Sequence, residues 1–348
     1  MKKSLALILA LVLLVGLMAG CSGNKNGAVT APSEPPASEK PAPPAEGGAL
    51  KTGLGVITGI ASSKDVGEKD GLAQTDSTIA AVLLDEKGVI TDCKIDGVQA
   101  KIAFGADGKL ITPMDSTFKT KNELGTEYDM KKASGIGKEW NEQAAAFAKY
   151  CIGKTAEELS GIAMTEGKPS DADLASSVTI HIGDFIAAVQ KAAANAQALG
   201  AMSGDVLKLA ASTEMSKSAD AGEKDGVAQA YITMTAASYK ADMITSCVID
   251  AVQANVNFSK EGKITSDLKA EVKTKNELGD AYGMKKASGI GKEWNEQAAA
   301  FAKYVTGKTV SQVKGIAISE GAPKDADLAS SVTIGITEFQ ALLEKASK

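Results

Sequence analysis

The alternation of apolar and polar positions that marks half-buried strands begins after residue 70. A polar loop, Gly67–Gln74, leads into a strand predicted over Ser77–Leu84, a second over Val89–Val98 and a third over Lys101–Phe104. The same order returns as Gly222–Gln229, Ala230–Ala237, Met243–Val252 and Asn255–Phe258. The first two strands are joined by Asp85–Gly88 in one copy and Ser238–Asp242 in the other, and the length difference fits a surface hairpin turn. A second turn follows at Gly105–Gly108 and Ser259–Gly262.

The apolar period then changes to that of a helix. Trp140, Ala144, Phe147, Ala148 and Cys151 fall on one face of Lys138–Tyr150, as do Trp294, Ala298, Phe301, Ala302 and Val305 on Lys292–Tyr304. Gly153 and Gly307 supply the stops. A short helical stretch at Thr155–Leu159 and a strand-like Ile162–Thr165 come next. The final helices are predicted from Asp184 to about Leu199 and from Thr337 to about Ala346, with Asp184 and Thr337 as N-caps. The pattern predicts an α+β fold: two tandem homologous domains, 51–198 and 199–348, each an antiparallel sheet with two principal helices.

The duplication is sharpest in one block of 32 residues, Lys119–Tyr150, which recurs as Lys273–Tyr304 with three differences: Thr126 against Asp280, Glu127 against Ala281 and Asp129 against Gly283. A function carried by this block is carried twice.

The N-terminus changes where the protein is expected to work. Lys2 and Lys3 precede an apolar run, Leu5–Leu17, and then Leu17-Met-Ala-Gly20 stands before Cys21. This pattern predicts a lipoprotein signal over 1–20, with Cys21 lipidated as the mature N-terminus. A retained signal anchor is the alternative, although the run is shorter than the roughly 20 apolar residues of a membrane span. Residues 22–50 hold six of the nine prolines and no apolar periodicity, so 21–50 reads as a lipidated cysteine and a disordered tether. The lipid bilayer is thus one expected partner, and the location is the extracytoplasmic face of the cell membrane.

The formal charge is -5, and it falls by two when Lys2 and Lys3 leave with the signal. That balance argues against nucleic acid as a partner. Beyond Cys21 the thiols are Cys93, Cys151 and Cys247; Cys93 matches Cys247 but Cys151 matches Val305, so no disulfide framework is implied and buried thiols are expected. The single histidine, His181, matches Gly335. Chemistry shared by both copies must therefore work without imidazole, which disfavours His-assisted hydrolysis and most zinc or haem sites, and no metal site is expected.

Three features could carry a ligand. Gly135-Ile-Gly137 and Gly289-Ile-Gly291 lack the third glycine and the strand context of a dinucleotide fingerprint; they read either as an anion site at a helix start or as a turn needing permissive dihedrals. Trp140 and Trp294 read either as core or as a stacking surface for a ligand. The lysines and glutamates of the block, among them Lys121, Lys138, Glu123 and Glu139, read as a solvated face, and Asp96 and Asp250 as turn polarity. Ser176-Ser177-Val-Thr179 is retained as Ser330-Ser331-Val-Thr333 between an acidic turn and the last helix.

This last arrangement resembles the FMN-binding domain family, in which a threonine in a Ser/Thr-Gly-Ala-Thr sequence is joined to FMN by a phosphoester. Aligned on that pattern, Thr179 and Thr333 take the attachment position, after Asp173-Leu-Ala and Asp327-Leu-Ala. Ser177 and Ser331 replace the family's glycine, and Val178 and Val332 its alanine. The resemblance implies two covalent FMN groups, attached by a separate flavin transferase, since no base repeats beside either threonine. It also implies that Thr179 and Thr333 are acceptors and not catalytic residues, with the loop glycines and tryptophans lining the site.

A membrane-anchored electron carrier follows from that resemblance, a carrier rather than a stand-alone catalyst. A membrane dehydrogenase or quinol would be its donor and an extracellular acceptor its sink. The alternative is a ligand-binding or surface-interaction lipoprotein that uses the same fold without flavin.

Overall fold

The structure, a computed structural model, describes residues 47–348, so the signal, Cys21 and most of the tether lie outside the described residues. The first repeat opens with a strand absent from the expectation, β1 (Lys51–Gly59), followed by β2 (Gly71–Leu84) and β3 (Ile90–Phe104). The second opens in the same way with β6 (Val206–Glu214), followed by β7 (Gly226–Lys240) and β8 (Met243–Phe258). β3 and β8 are each one long strand where the sequence suggested two, because Gln99 and Ala100, like Gln253 and Ala254, continue the ladder without a break. The sheets are antiparallel, ordered β1-β2-β3 and β6-β7-β8.

Helices follow in each repeat: α1 (Lys121–Leu124), α2 (Trp140–Cys151), α3 (Ala156–Ser160), α4 (Ala172–Ala175) and α5 (Gly183–Ala194), then α6 (Lys275–Leu278), α7 (Trp294–Val305), α8 (Val310–Lys314), α9 (Ala326–Ala329) and α10 (Thr337–Ser347). Minimal hairpins, β4 (Met164–Thr165) with β5 (Lys168–Pro169) and β9 (Ile318–Ser319) with β10 (Ala322–Pro323), stand where Ile162–Thr165 was read as a strand. The caps also differ from expectation. α2 is entered through Glu139, whose N–H donates to Glu142 in a capping box, so the helix begins at Trp140 and not at Lys138. Ile182 and Ile336 cap the last helices, Asp184 lies in the first turn, and α5 stops at Ala194, five residues before Leu199.

Period-two alternation in β2 explains the layering. Ile79, Ala81 and Leu83 face a core shared with the second sheet, whereas Ala80, Val82 and Leu84 face α2 and α5. In the second repeat Ile232, Met234 and Ala236 join the shared core, and Ala237 and Tyr239 pack under α7 and α10. Each repeat thus has its own helix-covered core, and a third core lies between the sheets. At its heart Phe104 stacks on Phe258, ring centroids 4.3 Å apart. Residues 47–348 belong to one compact unit.

The contacts between repeats obey an approximate two-fold relation. Lys191 of α5 pairs with Glu277 of α6, and Lys345 of α10 pairs with Glu123 of α1 at 2.7 Å. The Ile264 N–H donates to Asp65 and the Leu110 N–H to Asp220, both at 2.8 Å. One packing detail breaks the relation. A Cβ at Gly53 would lie 1.9 Å from the Ala192 carbonyl oxygen and one at Gly55 2.2 Å from that of Ala188, so α5 rests directly on the backbone of β1. The register puts Lys208 and Ala210 at those places in β6.

Candidate functional site

The Ser-Ser-Val-Thr segment follows α4, whose N-terminus Asp171 caps by accepting from the Asp173 and Leu174 amides, both at 3.1 Å. Ser176 closes the turn by donating to the Asp173 carbonyl at 2.7 Å, and Ser330 does the same to Asp327. Val178 and Val332 are fully buried, which pins the segment; Ser177, Ser331 and Thr179 are half-buried, and Ser176, Ser330 and Thr333 are exposed.

A residue overlooked in the sequence holds this segment in place. The fully buried Gln143 of α2 accepts from the Thr179 N–H at 2.8 Å and from its hydroxyl at 3.3 Å. Its amide nitrogen donates to the Ser134 hydroxyl at 3.1 Å and the Lys138 carbonyl at 3.2 Å. Gln297 repeats the arrangement, with 2.8 Å and 3.2 Å to Thr333, 3.1 Å to Ser288 and 3.2 Å to Lys292. One side chain therefore joins the threonine to the Ser-Gly-Ile-Gly loop. The signal available was a glutamine on the apolar face of a helix, a residue that is buried only when it is fully hydrogen-bonded.

The loop itself is a tight turn. Gly137 and Gly291 have φ of 63° and 62°, left-handed values that favour glycine. The amides of Gly137, Lys138 and Glu139 donate to Ser134 O, Ser134 Oγ and Glu142. Since the three successive amides that lead into the helix are taken, the turn is the better of its two readings and the anion site the weaker. A Cβ at Gly135, Gly137, Gly289 or Gly291 would meet nothing within 4 Å, so the loop faces open space.

Trp140 and Trp294 are buried, edge-on to Phe185 at 5.5 Å and to Phe339 at 5.9 Å. Each indole also lies under a lysine ammonium, Lys121 at 4.9 Å and Lys275 at 4.8 Å. The indoles are therefore core residues. The solvated-face reading also fails for parts of the block. Glu139 and Glu293 are buried and accept from the Met130 and Met284 amides at 2.9 Å and 2.8 Å. Lys275 is buried among the rings of Tyr231, Tyr282 and Trp294, donates to the Tyr231 hydroxyl at 2.9 Å, and is lowered to about 8 by burial, against the pull of Asp250.

Asp96 and Asp250 lie within β3 and β8, not in turns. Burial pushes both up to about 6, although each accepts main-chain bonds, Asp250 from Ala251 at 2.7 Å and Asn276 at 3.0 Å. All three described thiols are free and buried. No group of metal-binding side chains is found among the described residues, and none of their helices is long and apolar enough to cross a membrane.

A cavity of about 870 Å³ lies elsewhere, between the repeats. Its walls come from β8, α6, α7, Leu54 of β1 and Asn195, Gln197, Ala198 and Leu199 of the joining segment. Asn295, Ala299 and Lys303 of α7 and its C-cap Thr306 line it. At 3.6 residues per turn these positions lie roughly 160–240° round the helix from Gln297. The cavity and the Thr333 segment thus occupy opposite flanks of α7.

No protein-family profile matches the chain, and no solved structure matches it. A stretch of 41 residues is 54% identical to a chlorophenol reductase of Desulfitobacterium hafniense, covering 12% of this chain and 12% of that protein.

Proposed function

We propose that this protein is a lipid-anchored, extracytoplasmic flavoprotein electron carrier bearing FMN on Thr179 and Thr333. The observation that carries the reading is the repeated, base-free presentation of one threonine hydroxyl per repeat. In both copies the hydroxyl stands at or near the surface, beside the open glycine loop, bonded to a glutamine amide that cannot accept its proton. A threonine so placed is a poor nucleophile by itself and a reachable one for an external enzyme. The fit is sterically permissive, because Ser177 and Ser331 are partly exposed and the bulkier Val178 and Val332 point into the core, away from the approach. Esterification would cost the hydroxyl its bond to the glutamine, while the backbone N–H would continue to hold the segment.

FMN bound in this way supplies reversible one- and two-electron chemistry, which the protein orients. A flavin transferase is the partner required for attachment, a membrane dehydrogenase or quinol the electron donor, and an extracellular species the acceptor. The second reading, a flavin-free ligand-binding lipoprotein, is favoured by the cavity between the repeats, which neither threonine segment borders.

The test is the intact mass and visible spectrum of protein made together with a flavin transferase. Two FMN adducts are expected, with one lost in Thr179→Ala, one in Thr333→Ala and both in the double variant. Unmodified protein under those conditions sinks the carrier reading, and adducts surviving in the double variant move the site.

A further inference from the structure

The cavity between the repeats is built as a binding site. Its cover is fixed to the first repeat: Thr52 and Gln197 exchange both main-chain bonds, at 2.9 Å and 3.0 Å, and the Asn195 side-chain amide donates to the Leu54 carbonyl at 3.1 Å. Its floor is β8, where Val248 and Ile249 offer apolar surface. At about 870 Å³ it falls within the roughly 300–1,000 Å³ of sites for small organic ligands.

The lining chemistry narrows the ligand. Lys303 and Asp250 bring opposite charges, and Glu277 is paired with Lys191, so the walls are close to neutral in sum. Asp250 is occupied by the Ala251 and Asn276 amides. The side-chain amides of Gln197 and Asn295 make no hydrogen bond to any described residue, and each offers a donor and an acceptor in one plane. Two free amides beside the apolar surface of Val248, Ile249 and Ala299, in a cleft of mixed lining, match a ring that is flat and apolar on its faces and alternates acceptor, donor and acceptor along one edge.

We infer that this cleft binds a neutral planar heterocycle with an imide-type edge, held edgewise by Gln197 and Asn295 against the β8 floor. The two repeats then form one binding unit, since β1 and the joining segment of the first repeat close a wall supplied by the second. In the first repeat the matching asparagine, Asn141, has its Oδ1 enclosed without a partner instead of opening onto a cavity. The cover comes from the segment that joins the repeats, which occurs once, so the stoichiometry expected is one per chain.

The probe is lumichrome, a tricyclic imide, titrated calorimetrically into the full chain carrying Thr179→Val and Thr333→Val, so that the outcome is independent of covalent attachment. One lumichrome per chain is expected to bind. Ala299→Trp, which fills the cleft from an exposed helix position, should weaken binding at least tenfold, and Ala145→Trp at the matching place in the first repeat should leave it unchanged. Gln197→Leu should cost about tenfold, in line with about 1.4 kcal/mol for one well-made bond pair, and lumichrome methylated on its imide nitrogen should bind at least tenfold more weakly. Absent binding overturns the site, as does equal loss from both tryptophan variants or none from Ala299→Trp. Equal binding of the methylated probe overturns the imide-edge assignment.

Discussion

The two repeats contain nearly the same 32 residues, yet they do not place them in the same surroundings. Lys275 is buried among three rings, whereas Lys121 lies over two, Tyr128 and Trp140. The cause is outside the block. The register matches Tyr231 of β7 to Asp76 of β2, and Asp76 accepts instead from Gln74 and Gln99 at 2.7 Å and 2.8 Å. Even within the block, the Asp129/Gly283 difference falls on a left-handed position, φ 53° and 78°, where glycine is the less strained choice. Asn141 and Asn295 diverge in the same way, one with its Oδ1 enclosed and the other on a cavity whose cover, the joining segment, occurs once. Sequence identity fixes the local turn, the cap and the glutamine bridge; the environment of a side chain is set by whatever the fold lays across it.

If the repeats are nevertheless one cooperative body, the largest effect should come from the core they share. Phe258→Ala removes a fully buried ring stacked on Phe104 and should cost about 3–5 kcal/mol. Trp140 and Trp294 are the chain's two tryptophans, one per repeat, so Trp294→Phe and Trp140→Phe backgrounds give each repeat its own fluorescence reporter. Both reporters should show a single denaturant transition, moved equally by Phe258→Ala. A transition that shifts for Trp294 alone would make the repeats independent.

The sequence displayed the elements whose pattern is local. Alternation revealed β2 and β7 and, as two pieces each, β3 and β8, and the apolar stripe revealed α2 and α7. It hid β1 and β6. Gly53 and Gly55 in β1 look like loop residues and are required by the close approach of α5, and β6 has the mixed run Lys208-Leu-Ala-Ala-Ser where the two sheets and α10 converge. At the candidate site the threonine segment and the glycine loop were legible as separate motifs. Gln143, which joins them, was not, since one amide on a helix face gives no sign of being a bridge until both partners are brought beside it. Asp96 and Asp250 escaped for a similar reason: a carboxylate in a strand looks like surface polarity unless the amides of α1 and α6 are seen to point at it.

Those two aspartates supply the next test, in which the repeats should agree. Burial raises each from the ordinary 3.8 to about 6, so between those values the folded chain holds a proton that the unfolded chain has released. Stability from this source is fully present below about pH 4 and is lost as pH rises through 6. Asp250→Asn removes that dependence, so its stability relative to the parent should rise between pH 4 and pH 7, by about 3 kcal/mol at most for a shift of roughly two units. Asp96→Asn should behave alike. Urea denaturation at the two pH values measures both, and a variant that loses ground as pH rises would contradict the burial argument.

The smallest effect belongs to the reciprocal ion pairs, and it sharpens the comparison most finely because the chemistry is identical and only the direction across the interface is reversed. Lys191 also donates to the Val56 carbonyl at 2.9 Å and Lys345 to the Ala211 carbonyl at 2.6 Å, so each lysine ties a helix to a strand edge as well as to the other repeat. Removing a lysine should therefore cost more than removing its glutamate. Glu123 adds a pH signature: burial alone would raise it, but the bond from Lys345 and those from Thr120 outweigh burial and hold it below the usual carboxylate range. Its contribution is present above that range and lost as pH falls through the lowered value. Double-mutant cycles with Lys191→Met and Glu277→Gln, and with Lys345→Met and Glu123→Gln, should each give a coupling of about 1 kcal/mol or less, weakened by salt, as expected for half-exposed pairs. Equal couplings would mean that the two-fold relation extends to energetics, whereas a clear coupling in one pair alone would show that the asymmetric joining segment reaches the interface as well as the cavity.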